Sequence, residues 1–263
     1  MKLDGALVVV TGASSGIGAA VARQMGRLGA RVVLVARRAE KLEEVAADIE
    51  AAGGQAHVVP ADLSVMDSAT GAGEAILALG VPDVLINNAG AGAWKYIDET
   101  PPEEAVQMMA LPYFASFWLT RSVIEPMMAR GSGLVLMVNS PAWMMGWSGA
   151  TGYACSRAAQ HQFAESLRED VRSKGIVVSE VTLGEVSSAY FEANADSHDR
   201  LPTIGRTLFG VLTPEQAAQS IVSAVQGERE RVHAPFMLSL VHALNSVLPW
   251  TVRPLVRATQ HRR

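Results

Sequence analysis

Three side chains in this sequence could together move a proton to or from a carbonyl oxygen. Tyr153 and Arg157 are one helical turn apart, and Ser140 lies thirteen residues before the tyrosine. A phenol donates a proton near neutral pH only if its pKa is lowered from about 10. A cation at position i+4 on the same helix face favours the phenolate. With a serine hydroxyl to hold the oxygen, this trio predicts acid–base chemistry on a carbonyl or an alcohol.

A glycine-rich turn near the N-terminus predicts a pyrophosphate site. It lies between an apolar strand and an amphipathic helix, where glycines let the backbone approach the phosphates and the first helical amides face them. This position makes the turn a strong indication of a dinucleotide. The residues expected to contact the cofactor here are Gly12, Ser14, Ser15, Gly16, Ile17 and Gly18.

The end of the second predicted strand favours NADP over NAD. No acid stands there to bind a ribose 2′-hydroxyl; Arg37 and Arg38 follow instead and suit a 2′-phosphate. The alternative is a solvated basic pair that opens a helix. After the next strand, Asp62 and Leu63 are expected at the adenine, and an N-cap role for Asp62 or Ser64 is compatible with that.

A second tight turn is expected to border the cofactor after the fourth strand, at Asn88, Ala89 and Gly90. Because every one of these motifs directly follows a predicted strand, they converge on one edge of a sheet.

Apolar runs alternate with amphipathic stretches along the chain, which predicts an α/β fold. Strands are expected at Leu7–Val10, Arg31–Val35, Ala56–Val59, Val84–Ile86, Leu134–Val138, Val177–Val181 and Arg231–Ala234. Helices are expected at Ile17–Leu28, Lys41–Ala52, Ser68–Leu79, Pro102–Arg130, Tyr153–Lys174 and Pro214–Gln226. Right-handed crossovers give one doubly wound, Rossmann-type parallel sheet of about seven strands with helices on both faces. We expect a single domain, 1–263, in which 235–263 is an apolar and then basic extension.

Composition excludes several functions. A net charge of −4 and a pI of about 5.9 argue against a nucleic-acid partner. The single cysteine, Cys155, excludes an intramolecular disulfide, and the six histidines show no metal-ligand spacing. The N-terminus leads into a strand without a signal-peptide pattern, so a cytoplasmic protein is expected.

The C-terminal segment complicates that location. Apolar residues form a helical stripe at Phe236, Leu240, Val241, Leu244 and Leu248, and the only charged residues after Arg231 are arginines. The stripe is expected to pack on the protein itself or on a second subunit. The alternative is a peripheral, cationic contact with a membrane surface.

The motifs TGASSGIG and NNAG, with Ser140 and Tyr153, resemble the short-chain dehydrogenase/reductase superfamily in its single-domain form, over Leu3 to Ala234. The resemblance implies a serine, tyrosine, lysine and asparagine active site. Arg157 stands at the lysine position, which in the family binds the nicotinamide ribose, and Pro112, or Ala110 if the alignment slips by two residues, stands at the asparagine position. Ser188 keeps a hydroxyl expected to meet the carboxamide.

These departures alter the predicted proton supply. Arginine keeps its charge but cannot release a proton, because its pKa exceeds about 12. A relay through ribose and cation to water would therefore stop at Arg157. Pro112 lacks an N–H, which a helix already kinked there would tolerate, and a freed carbonyl could still hold a water.

Bulky apolar residues between Ser140 and Tyr153, and one soon after Gly90, predict a lipophilic substrate pocket, with core or subunit packing as the alternative. They are Trp94, Trp143, Met144, Met145 and Trp147. The segment from Ala189 to Gly210 is expected to form a lid.

The leading hypothesis is an NADP-dependent oxidoreductase on a lipophilic carbonyl/alcohol pair, in which Ser140 orients the oxygen and Tyr153 exchanges the proton. The alternatives are reduction of a C=C or C=N bond and a catalytically weak cofactor-binding subunit. A homodimer or homotetramer is expected through the long apolar helices.

Overall fold

Seven parallel strands form a single sheet with the order β3-β2-β1-β4-β5-β6-β7. This is a computed structural model, and it describes residues 1–187, 200–203, 206 and 210–260. The strands are β1 Leu7–Thr11, β2 Arg31–Ala36, β3 Gln55–Pro60, β4 Val84–Asn87, β5 Gly133–Asn139, β6 Ile176–Leu183 and β7 Arg231–Ala234. The strand order reverses between β1 and β4, so a ligand crevice opens there at the carboxyl ends. The predicted fold class is confirmed.

Helices cover both faces of the sheet. Over the described residues they are α1 Gly16–Arg27, α2 Ala39–Ala51, α3 Met66–Leu79, α4 Pro102–Met109, α5 Ala115–Arg130, α6 Thr151–Val171, α7 Pro214–Gln226, α8 Met237–Val247 and α9 Pro249–Ala258. Alternate residues of β1 lie in two hydrophobic cores, one on each face of the sheet. Val8 and Val10 pack with α1, α2 and α7, whereas Leu7 and Val9 pack with α3, α5 and α6. Burial on both faces explains why the strands are continuous apolar runs.

The helix predicted over Pro102–Arg130 is two helices separated by a wide turn. Residues Ala110–Phe114 form a π-helical turn, and Leu111 leaves helical geometry with φ −124° and ψ 108°. Pro112 explains the break, since it lacks an N–H and its ring collides with the preceding helical turn. The interruption lets the backbone N–H of Ala91, beyond β4, donate to the carbonyl of Leu111 at 3.4 Å. The kink ties this helix to the edge of the crevice.

The C-terminal extension forms two short helices, α8 and α9, of which the sequence indicated only the first. The sequence predicted that its apolar stripe packs on the protein itself or on a second subunit. Packing on the protein itself is wrong for four of the five residues, and packing on a second subunit stays a prediction. Phe236, Leu240, Leu244 and Leu248 are exposed, whereas Val241 is partly buried. None of the described helices combines the length and apolarity needed to cross a bilayer.

Candidate active site

The glycine turn between β1 and α1 is packed too tightly for any side chain at its last glycine. A Cβ on Gly18 would lie 2.3 Å from the carbonyl oxygen of Gly12 and 2.6 Å from Asn88 Nδ2. Gly12 itself has φ +66°, a conformation that favours glycine. The turn therefore presents bare backbone to a ligand at the start of α1.

Thr11 joins this turn to the second one, a role that the sequence analysis missed. Its Oγ1 accepts the backbone N–H groups of Asn88 and Ala89, both at 2.9 Å, and donates to the carbonyl of Ile86 at 3.3 Å. Asn88 Nδ2 in turn donates to the Thr11 carbonyl at 2.9 Å. The sequence did contain a signal for this role, namely a hydroxyl residue at the end of the first strand together with Asn-Ala-Gly after the fourth.

The two arginines after β2 occupy different positions. Arg38 Nη2 donates to Ser14 Oγ and Ser15 Oγ, each at 3.1 Å, and so lies over the glycine turn. Arg37 Nη1 lies 3.8 Å from a carboxylate oxygen of Asp62 and is largely exposed. Both line the crevice, but Arg38 is the better placed for a phosphate beside the turn.

Asp62 closes a short turn rather than capping a helix. Its Oδ1 accepts the backbone N–H of Ser64 at 3.0 Å and the Ser64 hydroxyl at 2.6 Å, while the N-cap of α3 is Val65. Partial burial raises the pKa of the Asp62 carboxyl, but the Ser64 hydrogen bonds and the charge of Arg37 outweigh it and leave the pKa below its usual value. The N-cap role that was expected to be compatible with an adenine contact, for Asp62 or Ser64, is therefore wrong.

Ser140 and Tyr153 line the same crevice as the glycine turn. Ser140 follows β5, and its Oγ accepts the Ala142 N–H at 3.4 Å. Tyr153 lies in the first turn of α6 and is buried, with its ring against Gly92, where a Cβ would come within 2.6 Å of a ring carbon. Trp94 packs on the tyrosine with ring centroids 5.2 Å apart.

The guanidinium of Arg157 lies over the ring of Tyr153. Its guanidinium carbon lies 5.1 Å from the tyrosine ring centroid. Nη1 donates to the Val138 carbonyl at 3.1 Å and to Gln160 Oε1 at 3.2 Å, and Nη2 lies against Gly90, 2.8 Å from where a Cβ would be. Nε is buried without a hydrogen-bond partner among the described residues. Arg157 also lines the crevice.

A buried chain of hydrogen bonds runs from Arg157 to the helix kink. Gln160, fully buried, donates from Nε2 to Ser116 Oγ at 3.1 Å. Ser116 Oγ donates to the Pro112 carbonyl at 2.7 Å. The Pro112 carbonyl thus accepts a side-chain hydroxyl, while a water on the carbonyl freed by the missing N–H stays a prediction.

Asn139 connects Ser140 to a buried carboxylate. Its Nδ2 donates to Glu180 Oε1 at 2.7 Å and to the carbonyl of Arg157 at 3.1 Å, and its Oδ1 accepts the Ser140 N–H at 2.8 Å. Glu180 Oε2 lies 2.8 Å from His161 Nδ1. This network fixes the strand end that carries Ser140.

Trp143 does not line the crevice, contrary to the expectation. Its ring stacks on His161 with centroids 3.6 Å apart, and its Nε1 donates to Thr182 Oγ1 at 3.2 Å. His161 and Glu180 also approach Glu165 closely enough to share a cation, but Arg168 and Arg231 already pair with Glu165.

The other predicted pocket residues line one continuous cavity of about 790 Å³ that extends from the glycine turn past Tyr153. Its apolar end contains Trp94, Met144, Met145 and Trp147, joined by Leu238, Val241 and Val256 from the C-terminal helices. The contribution of α8 and α9 was not predicted. Ser188 and most of the expected lid, 189–210, lie outside the described residues.

A family model described as short chain dehydrogenase matches residues 6–199. The chain belongs to this family. Among its curated relatives, a fatty acyl-CoA reductase of Acinetobacter baylyi is 31% identical over 248 residues, 92% of this chain and 81% of the relative. A 3-dehydrosphinganine reductase of Danio rerio is 34% identical over 251 residues, 91% of this chain and 75% of the relative.

Solved structures of the family support the fold. A metagenomic short-chain oxidoreductase in complex with NADP is 32% identical, with a TM-score of 0.75, and the match covers 89% of this chain and 98% of that one. Membership of the superfamily that the sequence motifs resemble is therefore confirmed, and the chain is an oxidoreductase of the short-chain type.

Proposed function

We propose that this protein is an NADP(H)-dependent oxidoreductase that interconverts a lipophilic carbonyl compound and its alcohol. The observation that carries the proposal is the single cavity, because the glycine turn, Ser140, Tyr153 and the apolar pocket all line it. A cofactor on the turn and a substrate in the pocket would meet beside the serine and the tyrosine.

The residues present fit a dinucleotide with a 2′-phosphate. The bare backbone at Gly12 and Gly18 leaves room for a pyrophosphate, and Arg38 beside Ser14 offers a permanent charge with bidentate geometry. The related metagenomic oxidoreductase with NADP bound supports this choice. When bound, NADPH supplies the hydride that reduces the carbonyl carbon.

The protein's own groups handle the oxygen and the proton. The Ser140 hydroxyl donates to the carbonyl oxygen, and the Tyr153 hydroxyl transfers its proton to that oxygen as the carbon is reduced. Arg157 stabilises the resulting phenolate through its charge and holds the cofactor ribose from the crevice wall, which it lines. These roles follow the family's serine, tyrosine and cation pattern.

A lipophilic substrate is supported by the cavity wall. The side chains beyond Tyr153 are indoles, thioethers and aliphatic groups, which bury apolar chains favourably. The names of two relatives, a fatty acyl-CoA reductase and a 3-dehydrosphinganine reductase, denote substrates with long alkyl chains.

Reduction of a C=C or C=N bond is a second candidate, favoured by the surroundings of Arg157. Its guanidinium is bonded to Val138 and Gln160, and Gln160 leads to Ser116 rather than to solvent. Since arginine releases no proton at working pH, a reaction that takes its proton from water or substrate suits this site. Product identification after incubation with an enone or an imine separates the two candidates.

The deciding experiment is an NADPH-oxidation assay with aldehydes and ketones of increasing chain length. We expect kcat/KM to rise with chain length, because each buried methylene adds about 0.8 kcal/mol. Tyr153→Phe should lower kcat by at least roughly 100-fold with NADPH affinity retained. Tyr113→Phe, a tyrosine in the helix kink that is not among the cavity-lining residues, is the matched control and should be active.

Two results would overturn this proposal. Saturable NADPH binding without turnover on the whole series would make the chain a cofactor-binding subunit. Full activity of Tyr153→Phe would remove the tyrosine from the proton step.

A further inference from the structure

The outer face of the two C-terminal helices is apolar. Its large side chains alternate with the inward ones along α8 and α9, and three of them, Phe236, Val247 and Trp250, are 72%, 71% and 68% exposed. We call this surface the C-terminal face, defined by Phe236, Leu240, Leu244, Val247, Leu248, Trp250 and Leu255. An exposed apolar patch of this extent marks an interaction site.

The C-terminal face is not the side by which α8 and α9 pack on the rest of the protein. The opposite sides of the same helices are already packed inward, through Leu238 and Asn245 of α8 and Val252 and Val256 of α9. Both helices therefore have one apolar side on the protein and another turned to the outside. A surface helix normally turns a charged side outward, so this pattern requires an apolar environment.

The charge around the C-terminal face indicates what that environment is. The extension, 235–263, has four arginines and no acid, whereas residues 1–234 carry 18 basic and 26 acidic side chains. The net charge is thus −8 on residues 1–234 and +4 on the extension. Arg253 and Arg257 are exposed on α9, the helix that also carries the exposed Trp250 and Leu255.

These features fit an anionic lipid surface better than a second copy of the chain. In a two-fold contact through this face, Arg253 and Arg257 would face the same cationic segment of the other copy. A bilayer interface instead offers an apolar layer for the leucines, the headgroup level preferred by tryptophan, and anionic headgroups for the arginines.

We propose that the C-terminal face docks on a membrane containing anionic lipid, with α8 and α9 lying in the plane of the interface. The inner side of these helices contributes Leu238, Val241 and Val256 to the cavity wall. A docked protein would thus hold its apolar pocket one helix diameter from the lipid. The docking itself is independent of the redox reaction, and its test requires no turnover.

The experiment is co-sedimentation of the full chain with vesicles of phosphatidylcholine alone or mixed with phosphatidylserine. We expect binding to the mixed vesicles that weakens with salt. Leu240→Asp with Leu244→Asp should lower the partition coefficient at least tenfold. Arg253→Gln with Arg257→Gln should remove the preference for phosphatidylserine, about fivefold for each arginine.

Met66→Asp is the matched control. Met66 is exposed to a similar degree, 55% against 45% for Leu240, and it starts α3, where an acid is tolerated. This variant should bind vesicles like the wild type. Circular dichroism and thermal melting establish that all variants are folded.

The proposal is overturned if the folded wild type sediments with neither vesicle. It is equally overturned if Leu240→Asp with Leu244→Asp turns an oligomer into a monomer in gel filtration while vesicle binding stays the same, because the face would then be a subunit contact.

Discussion

Replacing Arg157 by lysine separates the structural role of the guanidinium from its effect on proton supply. The arginine uses Nη1 for both the Val138 carbonyl and Gln160 Oε1, and Gln160 is fully buried. A single, shorter ammonium retains at most part of this set. Losing one hydrogen bond to a charged donor costs about 1.5–3 kcal/mol. At roughly 2–4 °C per kcal/mol for a chain of this size, the melting temperature should fall by about 3–12 °C.

Turnover of the Arg157→Lys enzyme should rise, although its melting temperature falls. An ammonium with a reference pKa of about 10.4 can exchange a proton, whereas a guanidinium cannot. If proton supply limits the reaction, kcat per folded Arg157→Lys enzyme rises, and the solvent isotope effect on kcat, measured in H₂O and D₂O with saturating NADPH, becomes smaller.

Gln160→Leu is the control for the Arg157→Lys result. It removes the same hydrogen bond but keeps the arginine, so it should lower the melting temperature without raising kcat. The reasoning is refuted if Arg157→Lys lowers kcat and leaves the solvent isotope effect unchanged, since the guanidinium would then be required for cofactor geometry rather than limiting for the proton.

Further predictions concern the cofactor turn and the pH dependence of stability. Gly18→Ala should weaken NADPH binding at least about tenfold and cost about 1–3 kcal/mol of stability, because its Cβ meets backbone at 2.3 Å. Arg38→Ala should weaken NADPH binding about 10- to 100-fold and leave NADH binding unchanged, and Arg37→Ala should do less because Arg37 pairs with Asp62. Burial lowers the pKa values of His233 and His242, so the free energy of unfolding should fall as the pH drops below about 6.5; His242→Gln should flatten that decline.

Each of these predictions has a clear contrary result. Gly71→Ala, in open space on α3, is the control for Gly18→Ala, and equal NADPH affinity in the two variants would contradict the packing argument. Parallel losses of NADPH and NADH affinity in Arg38→Ala would place that arginine away from a 2′-phosphate. The histidine argument fails if denaturant unfolding of His242→Gln follows the wild-type pH profile, since neutral imidazoles favoured by burial must take up protons on unfolding.

The order of strands and helices could be predicted because the sheet is covered on both faces. Burial of both sides makes each strand an apolar run, and the connecting helices show a clear period. The tight glycine turn between β1 and α1 was predictable for a similar reason, since Gly12 and Gly18 are required by close packing with neighbouring residues. Features that depend on local packing or on the alternation of strands and helices can be predicted from a single sequence.

The features that were missed depend on partners distant in sequence. Trp143 follows a strand near the crevice, as a pocket residue would, but His161 and Thr182 offer it a stacking surface and an acceptor elsewhere. The position of Pro112 suggested a kink. It did not reveal that the Pro112 carbonyl accepts a hydrogen bond from the Ser116 hydroxyl, which in turn accepts one from Gln160. No spacing rule encodes such contacts between elements.

The C-terminal helix α9 was missed because of its prolines. Pro249 occupies the first turn, where a missing N–H costs nothing, whereas Pro254 lies inside the helix. Both argue against a helix when counted by type alone. Position within the helix decides their effect, and position is known only once the start of α9 is fixed by the end of α8.

Cys155 gives the molecule a natural reporter. It is the only thiol in the sequence, it is exposed, and it lies on α6 between Tyr153 and Arg157. A maleimide dye should therefore label the wild-type protein once, without any engineered cysteine. Since association is expected through the long helices, the labelling rate should fall with protein concentration if α6 enters a subunit contact. The same dye, two residues from the tyrosine, would record ligand binding as a change in fluorescence.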